Sequence, residues 1–166
     1  KLTPEQFKVF DDRAEFKTVI ALSDFVANTI FSYPDVCTKL VEQGALDSDT
    51  FSLDPKAAVN SYIEDKLSEF ELKKRLRILR RTRAMVIAWR DLTGKASIDE
   101  VLVSLSNLAE AIVLRTIDVV RAQLKNAYGD AVDEDGKPLP LLTLGMGKLG
   151  GQELNFSSDI DLIFAY

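Results

Sequence analysis

The segment that decides the fold is Leu139–Tyr166, which reads LPLLTLGMGKLGGQELNFSSDIDLIFAY. Two apolar runs, residues 139–144 and 160–166, lie on either side of a glycine-rich polar stretch. Each run has the length of a buried strand. The pattern therefore predicts a strand, a glycine-rich turn, a short helix and a second strand.

Two carboxylates stand at the start of the second apolar run, in the triplet Asp159-Ile160-Asp161. Alternate residues of a strand point to the same face, so Asp159 and Asp161 are expected to project together, with Ile160 turned into the core. Two such close carboxylates repel each other unless a cation lies between them. Their oxygens suit Mg²⁺ or Mn²⁺, and Mg²⁺ held in this way completes its shell with phosphate oxygens. Taken alone, the triplet is equally typical of a turn that precedes a strand.

The spacing of these residues resembles that of the nucleotidyltransferase superfamily, in which a glycine and a small residue precede Asp-x-Asp at a similar distance. Ten residues separate Gly147-Lys148 from Asp159, whereas Gly150-Gly151 would leave only seven, so Gly147 is the better candidate for the motif glycine. Glycines let a backbone approach phosphates closely. The superfamily usually has Gly or Ser where this chain has Lys148, which would meet a phosphate as a point charge.

A longer stretch carries a closer resemblance. Gly145–Phe164 resembles the signature of the bifunctional glutamine synthetase adenylyltransferase/adenylyl-removing enzymes, a family with two related nucleotidyltransferase halves. The sequence Asn-Phe-Ser-Ser at residues 155–158 resembles the N-terminal, adenylyl-removing half more than the C-terminal transferase half. Leu79–Leu92, which reads LRRTRAMVIAWRDL, is similar to a helical stretch that precedes the same half.

This resemblance implies an enzyme that removes AMP from a tyrosine of adenylylated glutamine synthetase by metal-dependent phosphorolysis, releasing ADP and regulating nitrogen assimilation. The implied partners are glutamine synthetase, a PII-type signalling protein, and nucleotide or orthophosphate. The implied site comprises two catalytic, metal-binding carboxylates and four residues that contact phosphate or nucleotide: Asp159 and Asp161, then Gly147, Lys148, Ser157 and Ser158. For the two serines, hydrogen bonding within the turn is an equal alternative.

Two other functions stay open at this point. The transferase half of the same family would move AMP from ATP to the same tyrosine, and its carboxylate chemistry is shared. A non-catalytic helical module would instead bind glutamine synthetase or a signalling protein. The chain starts without Met and ends at Tyr166 inside an expected strand, which suggests a fragment. The superfamily needs a third carboxylate on a later strand, so we expect these 166 residues alone to be inactive.

Composition bounds the possible chemistry. The chain is 46% hydrophobic and 28% charged, which is typical of an ordinary globular domain. No run approaches 18 apolar residues and no signal peptide is evident, so a membrane span is not expected. Cys37 is the only cysteine and histidine is absent, so zinc sites of the usual kind and a histidine base are not expected. A reducing, cytoplasmic environment fits the single cysteine.

The sequence as a whole predicts a mostly α fold. Residues 1–130 are expected to form a helical bundle, and residues 131–166 the first part of a truncated nucleotidyltransferase α/β domain. Capping boxes are predicted at Thr3, Ser68 and Ser97. One short helix is expected to begin at residue 4. Further helices are expected over about residues 11–31, 34–44, 55–67, 69–92 and 98–128. Residues 47–53 and the acidic stretch 130–138 are predicted loops.

Two further predictions concern side chains of the helical region. Phe16, Phe25 and Phe31 are expected in the core. Residues 66–90 hold nine of the 21 Lys and Arg residues, but the net charge of −5 disfavours nucleic-acid binding. Arg83 and Arg90 fall on the apolar stripe of this helix, so they either pair with acids in the bundle or reach the catalytic cleft. The resemblance draws attention to Arg80, Arg81 and Arg83 without assigning them roles.

Overall fold

A computed structural model describes residues 2–48 and 54–166. Helices dominate this part of the chain, which confirms the predicted mostly α fold. The helices are α1 (Pro4–Asp11), α2 (Phe16–Leu22), α3 (Asp24–Ser32), α4 (Pro34–Glu42), α5 (Lys56–Tyr62), α6 (Glu69–Leu92), α7 (Ile98–Tyr128) and α8 (Gly147–Gly150). The strands β1 (Leu142–Gly145) and β2 (Leu162–Ala165) form an antiparallel pair on either side of α8. Among the described helices, none is long and apolar enough to cross a membrane.

The predicted caps begin the helices as expected. The Thr3 hydroxyl accepts a hydrogen bond from the backbone N–H of Gln6, whose side chain accepts one from the backbone N–H of Thr3. Ser68 and Ser97 cap α6 and α7, since each hydroxyl accepts a hydrogen bond at 3.2 Å from the backbone N–H three residues on. Among the described residues, these two caps lack the reciprocal side-chain bond of the predicted capping box. Such bonds satisfy N–H groups that have no partner within the helix. The two long helices therefore start and end where the sequence predicts.

Three predictions about the helical region are wrong in detail. The expected helix over residues 11–31 is two helices, because Ser23 is extended and caps α3 by accepting a hydrogen bond from the Val26 N–H. The helix expected to reach residue 67 ends at Tyr62. Phe16 is buried as expected, but Phe25 and Phe31 are 38% and 47% exposed. The predicted 47–53 loop lies partly outside the described residues.

Helix α6 is the centre of the bundle. Seven consecutive residues, 84–90, are buried, so the helix is covered on all sides over two turns. Trp89 and its neighbours pack with α1 to α4, and the ring of Trp89 stacks on Phe16 with 6.3 Å between centroids. Leu72 and Leu79 join a second cluster, and Ala84 and Ile87 a third. Helix α6 thus contributes to each of the three hydrophobic clusters.

Helices α6 and α7 run antiparallel, and a buried ion pair joins them at the turn. Leu72 near the start of α6 shares a cluster with Val119 near the end of α7. At the other end, Arg90 is only 3% exposed, and its Nη2 lies 2.7 Å from Glu100 Oε1. The same nitrogen donates to the Lys95 carbonyl oxygen at 3.0 Å. Of the two alternatives for Arg90, pairing within the bundle is therefore confirmed.

The two predicted strands form, but they are not buried. Leu142, Leu144, Ile163 and Phe164 are each about half exposed, contrary to the expectation of core strands. Within the described part of the chain, β1 packs against α8 and pairs with β2, and the apolar side chains of both strands reach solvent. The connection from α7 contains a turn at 133–136, in agreement with the predicted acidic loop. The division at residues 130 and 131 stays a prediction.

Removing the buried Arg90 guanidinium is expected to destabilise the bundle. In Arg90→Ala, Glu100 and the Lys95 carbonyl lose their shared donor, so the free energy of unfolding should fall by about 3 kcal/mol. Urea unfolding at pH 7, followed by the fluorescence of Trp89, measures this loss. Arg77→Ala, which removes an exposed arginine of the same helix, should leave the free energy unchanged. Equal stability of the two variants would contradict the prediction.

A second prediction concerns pH. Asp47 accepts hydrogen bonds from Arg13 and Lys95, with Arg13 Nη2 2.9 Å and Lys95 Nζ 2.8 Å from its oxygens. These bonds lower the pKa of Asp47 from 3.8 to about 2. The carboxylate therefore stabilises the fold above its unfolded pKa, and this stabilisation is lost as the pH falls from about 4 to about 2.

Asp47→Asn tests this pH dependence. Because the side chain is half exposed, the variant should lose only about 1 kcal/mol of unfolding free energy at pH 7. Most of the difference from the parent should be lost by pH 2, and the rest below this folded pKa. Urea unfolding of both proteins between pH 2 and pH 7 gives this difference directly. A difference that stays constant across this range would contradict the assigned ion pairs.

Candidate functional site

The glycine-rich turn begins directly beside the Asp-x-Asp triplet. Gly145 pairs with Leu162 in the strand register, and the next N–H, that of Met146, donates to the Asp161 carbonyl oxygen at 2.9 Å. Gly147 then opens α8 with φ of +55°, a left-handed conformation that favours glycine. The antiparallel pairing thus brings the predicted phosphate-binding turn and the predicted metal-binding triplet together at one end of the sheet.

A second glycine of the turn is required for steric reasons. A Cβ on Gly150 would lie 2.4 Å from the Gly145 carbonyl oxygen, well inside van der Waals contact. By contrast, a Cβ on Gly147 would meet open space, so the positive φ alone disfavours a side chain there. The two glycines are therefore required for different reasons. Gly150 leaves room for a tight corner, and Gly147 adopts an unusual backbone angle. Lys148 lies on α8 with an exposed side chain.

Asp159 and Asp161 both lie before β2 rather than within it. The alternation of a strand therefore does not apply to the triplet, and the expected burial of Ile160 is wrong, since Ile160 is 39% exposed. Both carboxylates are exposed, and neither forms an ion pair with another residue in the ranges 2–48 and 54–166. Their joint projection stays a prediction.

Carboxylates that form no ion pair within the described residues suit a divalent ion, so the donor chemistry of Asp159 and Asp161 fits Mg²⁺ or Mn²⁺. Two carboxylates supply only part of the shell that such an ion needs. Within the described residues there is no group of three or more acidic, cysteine or histidine side chains that would complete a site. Water or phosphate oxygens would have to provide the other ligands.

Asn155 organises the turn that carries the triplet. Its Oδ1 accepts hydrogen bonds from the Ser158 hydroxyl at 2.7 Å and from the Ser157 hydroxyl and backbone N–H at 3.2 Å. The Ser158 hydroxyl in turn accepts a bond from the Asn155 N–H. Both serines thus hydrogen-bond the turn, which was one of the two alternatives for them. Contact of Ser157 and Ser158 with a nucleotide stays a prediction.

This turn is attached to the bundle by a residue that the sequence analysis missed. Ser106, which is fully buried on α7, accepts a hydrogen bond from the Leu154 N–H at 3.1 Å and donates one to the Leu102 carbonyl oxygen. The Leu154 side chain packs in the cluster that Leu105 and Leu108 share. Ser106 follows the buried Leu105 on α7, and a small polar residue beside an apolar one was the available signal.

Attachment at Leu154 leaves a cavity of about 330 Å³ between the triplet and the bundle. Helices α3, α6 and α7 form three of its walls, and residues 154–160 form the remaining one. Arg80 and Arg81 line it from α6, and Ser158 and Asp159 line it from the turn. The fold therefore brings two of the arginines that the sequence singled out to the same cavity as Asp159, but not Arg83 or Asp161. Burial lowers the pKa of Arg83 to about 10.

Arg81 is held in place by two neighbours on α3. Its Nε donates to the Thr29 hydroxyl at 3.1 Å, and its guanidinium carbon lies 5.8 Å from the centroid of the Phe25 ring. Guanidinium groups at such distances are attracted to the negative face of an aromatic ring. The half-exposed Phe25 thus contacts the cavity and an arginine rather than the core.

The steric role of Gly150 is testable. Gly150→Ala forces the Gly145 carbonyl away, so the corner between β1 and α8 should open more readily. Overpacking of this kind costs about 1–3 kcal/mol, which corresponds to roughly 5- to 100-fold faster amide exchange over residues 145–151. Hydrogen-exchange mass spectrometry measures this rate. In Gly151→Ala the nearest atom to the new Cβ, the Gly147 carbonyl oxygen, is 3.6 Å away, so exchange should match the parent. Equal rates in both variants would contradict the clash.

Comparison with known proteins adds the family context. The family model described as "Glutamate-ammonia ligase adenylyltransferase" matches residues 13–166. A bifunctional glutamine synthetase adenylyltransferase/adenylyl-removing enzyme from Shewanella loihica is 42% identical and covers 100% of this chain. Enzymes of the same description from Thioalkalivibrio sulfidiphilus and Pseudomonas aeruginosa are 41% and 37% identical over 89% and 92% of the chain. The chain spans only 15–16% of the length of these relatives.

Proposed function

The chain belongs to the glutamate-ammonia ligase adenylyltransferase family, and on that premise we propose that it forms part of an enzyme that removes AMP from adenylylated glutamine synthetase. The observation that carries the proposal is the placement of the glycine-rich turn beside Asp159 and Asp161, through the Met146 hydrogen bond to Asp161. The names of the similar enzymes support glutamine synthetase as the substrate. The sequence of residues 155–158 favours the adenylyl-removing reaction over the transferase reaction.

The proposed reaction is a phosphorolysis. An oxygen of orthophosphate attacks the phosphorus of the AMP group, the bond from phosphorus to the tyrosine oxygen breaks, and ADP leaves. The tyrosine oxygen departs as a phenolate and then takes a proton. Because the pKa of a phenol is about 10, this leaving group needs less help from a general acid than an alcohol would.

In this proposal Asp159 and Asp161 hold Mg²⁺ or Mn²⁺. The metal, when bound, neutralises phosphate charge and aligns the attacking and leaving oxygens. Gly147 allows the backbone of the turn to lie close to a phosphate, and Lys148 provides a mobile positive charge at the start of α8. Ser157 and Ser158 contact the nucleotide or position the triplet through Asn155.

The helical region is the natural surface for the protein partners in this proposal. Helices α1 to α4 pack with α6, and α5 packs with α6 and α7. In this proposal their outer faces bind glutamine synthetase or a PII-type regulatory protein. Binding of a partner by these helices is compatible with catalysis at the sheet. A purely non-catalytic module is the alternative, and it predicts that both carboxylates are dispensable.

The test uses the full-length protein that contains this chain. It is mixed with AMP-modified glutamine synthetase, Mg²⁺ and orthophosphate, and the nucleotide product is identified by chromatography. The parent should release ADP. Asp159→Ala should slow the reaction at least roughly 100-fold, because even outer-shell changes at metal sites cost 10- to 100-fold. Asp135→Ala removes an exposed acid in the 133–136 turn and should react at the parental rate.

Other outcomes assign the alternatives. If the protein releases no ADP, but forms pyrophosphate from ATP and unmodified glutamine synthetase, the chain belongs to a transferase site. If neither product forms, while glutamine synthetase still binds, the helical module is the better description. Full activity of Asp159→Ala would overturn the assignment of the triplet as the metal site.

A further inference from the structure

The cavity beside the triplet contains two charges of opposite sign that do not pair with each other. Arg80 lines it from α6 and Asp159 from the turn. In the part of the chain that the structure describes, neither side chain forms an ion pair or a side-chain hydrogen bond. Both side chains are exposed to solvent, so each remains available to a ligand that carries both signs. A phosphate group with its bound divalent cation is such a ligand.

We infer that Arg80 and Arg81 bind a phosphate group of the substrate in this cavity. The positive guanidinium groups contact the phosphate, while the negative carboxylate of Asp159 binds the metal ion. This inference rests on the proposed function and extends it to residues outside the motif. The shared ligand chemistry is a phosphate dianion or diester. It comes either from the attacking orthophosphate or from the AMP group on the modified tyrosine.

Arg81 is already oriented for this role. Its Nε is used by Thr29, and its guanidinium lies over Phe25, so the side chain is held before any ligand arrives. The two terminal nitrogens make no hydrogen bond within the described residues, which leaves two donors for phosphate oxygens. A guanidinium presents such donors in a planar fork that matches phosphate geometry. Pre-orientation lowers the entropy that is lost on binding.

The surroundings strengthen an arginine–phosphate contact. Aliphatic residues of α6 and α7 line the rest of the cavity, among them Ala84, Leu105 and Leu108. Apolar walls reduce the local screening of charge at Arg81, which is partly buried, so its contact with a phosphate is stronger than it would be in bulk water. The volume of about 330 Å³ lies at the lower end of the range for small-molecule sites, which fits a nucleotide-sized group or a smaller one.

The experiment compares Arg80→Ala, Arg80→Lys and Arg77→Ala in the full-length protein. Arg80 has no partner within the described residues, so its replacement should leave thermal unfolding unchanged. Steady-state phosphorolysis gives KM for orthophosphate and for adenylylated glutamine synthetase separately. Arg80→Ala should raise one of these constants by roughly 10- to 100-fold, the effect of losing a charged hydrogen bond. Arg80→Lys should recover part of the loss because it keeps the charge but not the fork.

The two substrate constants distinguish the two phosphate sources. A rise in KM for orthophosphate assigns the arginines to the attacking group, and a rise in KM for the adenylylated protein assigns them to the AMP phosphate. Equilibrium dialysis with labelled orthophosphate or AMP gives a binding constant without turnover, and it should weaken by the same factor. Arg77→Ala is the matched control, because Arg77 lies on the same helix face but does not line the cavity.

Failure of the inference is separable from failure of the proposed function. Unchanged constants and unchanged phosphate binding in Arg80→Ala, with an inactive Asp159→Ala, would overturn the phosphate site and leave the proposed function in place. Equal losses in Arg80→Ala and Arg77→Ala would also overturn it, because a general charge effect would then be sufficient. Absence of ADP release by the parent protein would overturn the proposed function first.

Discussion

Burial of helix α6 on every side over residues 84–90 is the constraint on which the rest of the structure depends. The helix contributes side chains to all three hydrophobic clusters, so it cannot rotate about its axis without uncovering one of them. The directions of its arginines follow from this. Arg90 lies inside and pairs with Glu100, while Arg80 and Arg81 face the cavity beside the triplet.

Helix α7 packs on α6 and also contacts the candidate site. Its antiparallel packing on α6 is closed at one end by the Arg90 ion pair, and Ser106 then holds the Leu154 N–H. A buried hydrogen bond and the packing of Leu154 and Leu149 thus help to hold the Asp159 turn against the bundle. The cavity exists because the turn is attached at Leu154 while its carboxylates remain in solvent.

Local signals predicted much of this fold. The capping residues Thr3, Ser68 and Ser97 marked the helix starts, because the hydrogen bonds they make involve residues only three positions away. Non-local effects produced the errors. Phe25 was expected in the core, but it contacts Arg81 across the gap between two helices. Ile160 was expected to be buried by strand alternation, but β2 begins only at Leu162.

The sequence by itself determined the chemistry of the candidate site: a glycine-rich turn, an Asp-x-Asp triplet separated from Gly147-Lys148 by ten residues, and the family that this sequence resembles. These features are local, since they depend on backbone angles and on residues close together in the chain. Only the tertiary structure decided which distant side chains share the cavity. Arg80 and Asp159 are far apart in the chain. They line the same cavity because burial of α6 positions Arg80 and the Ser106 hydrogen bond positions the turn that carries Asp159.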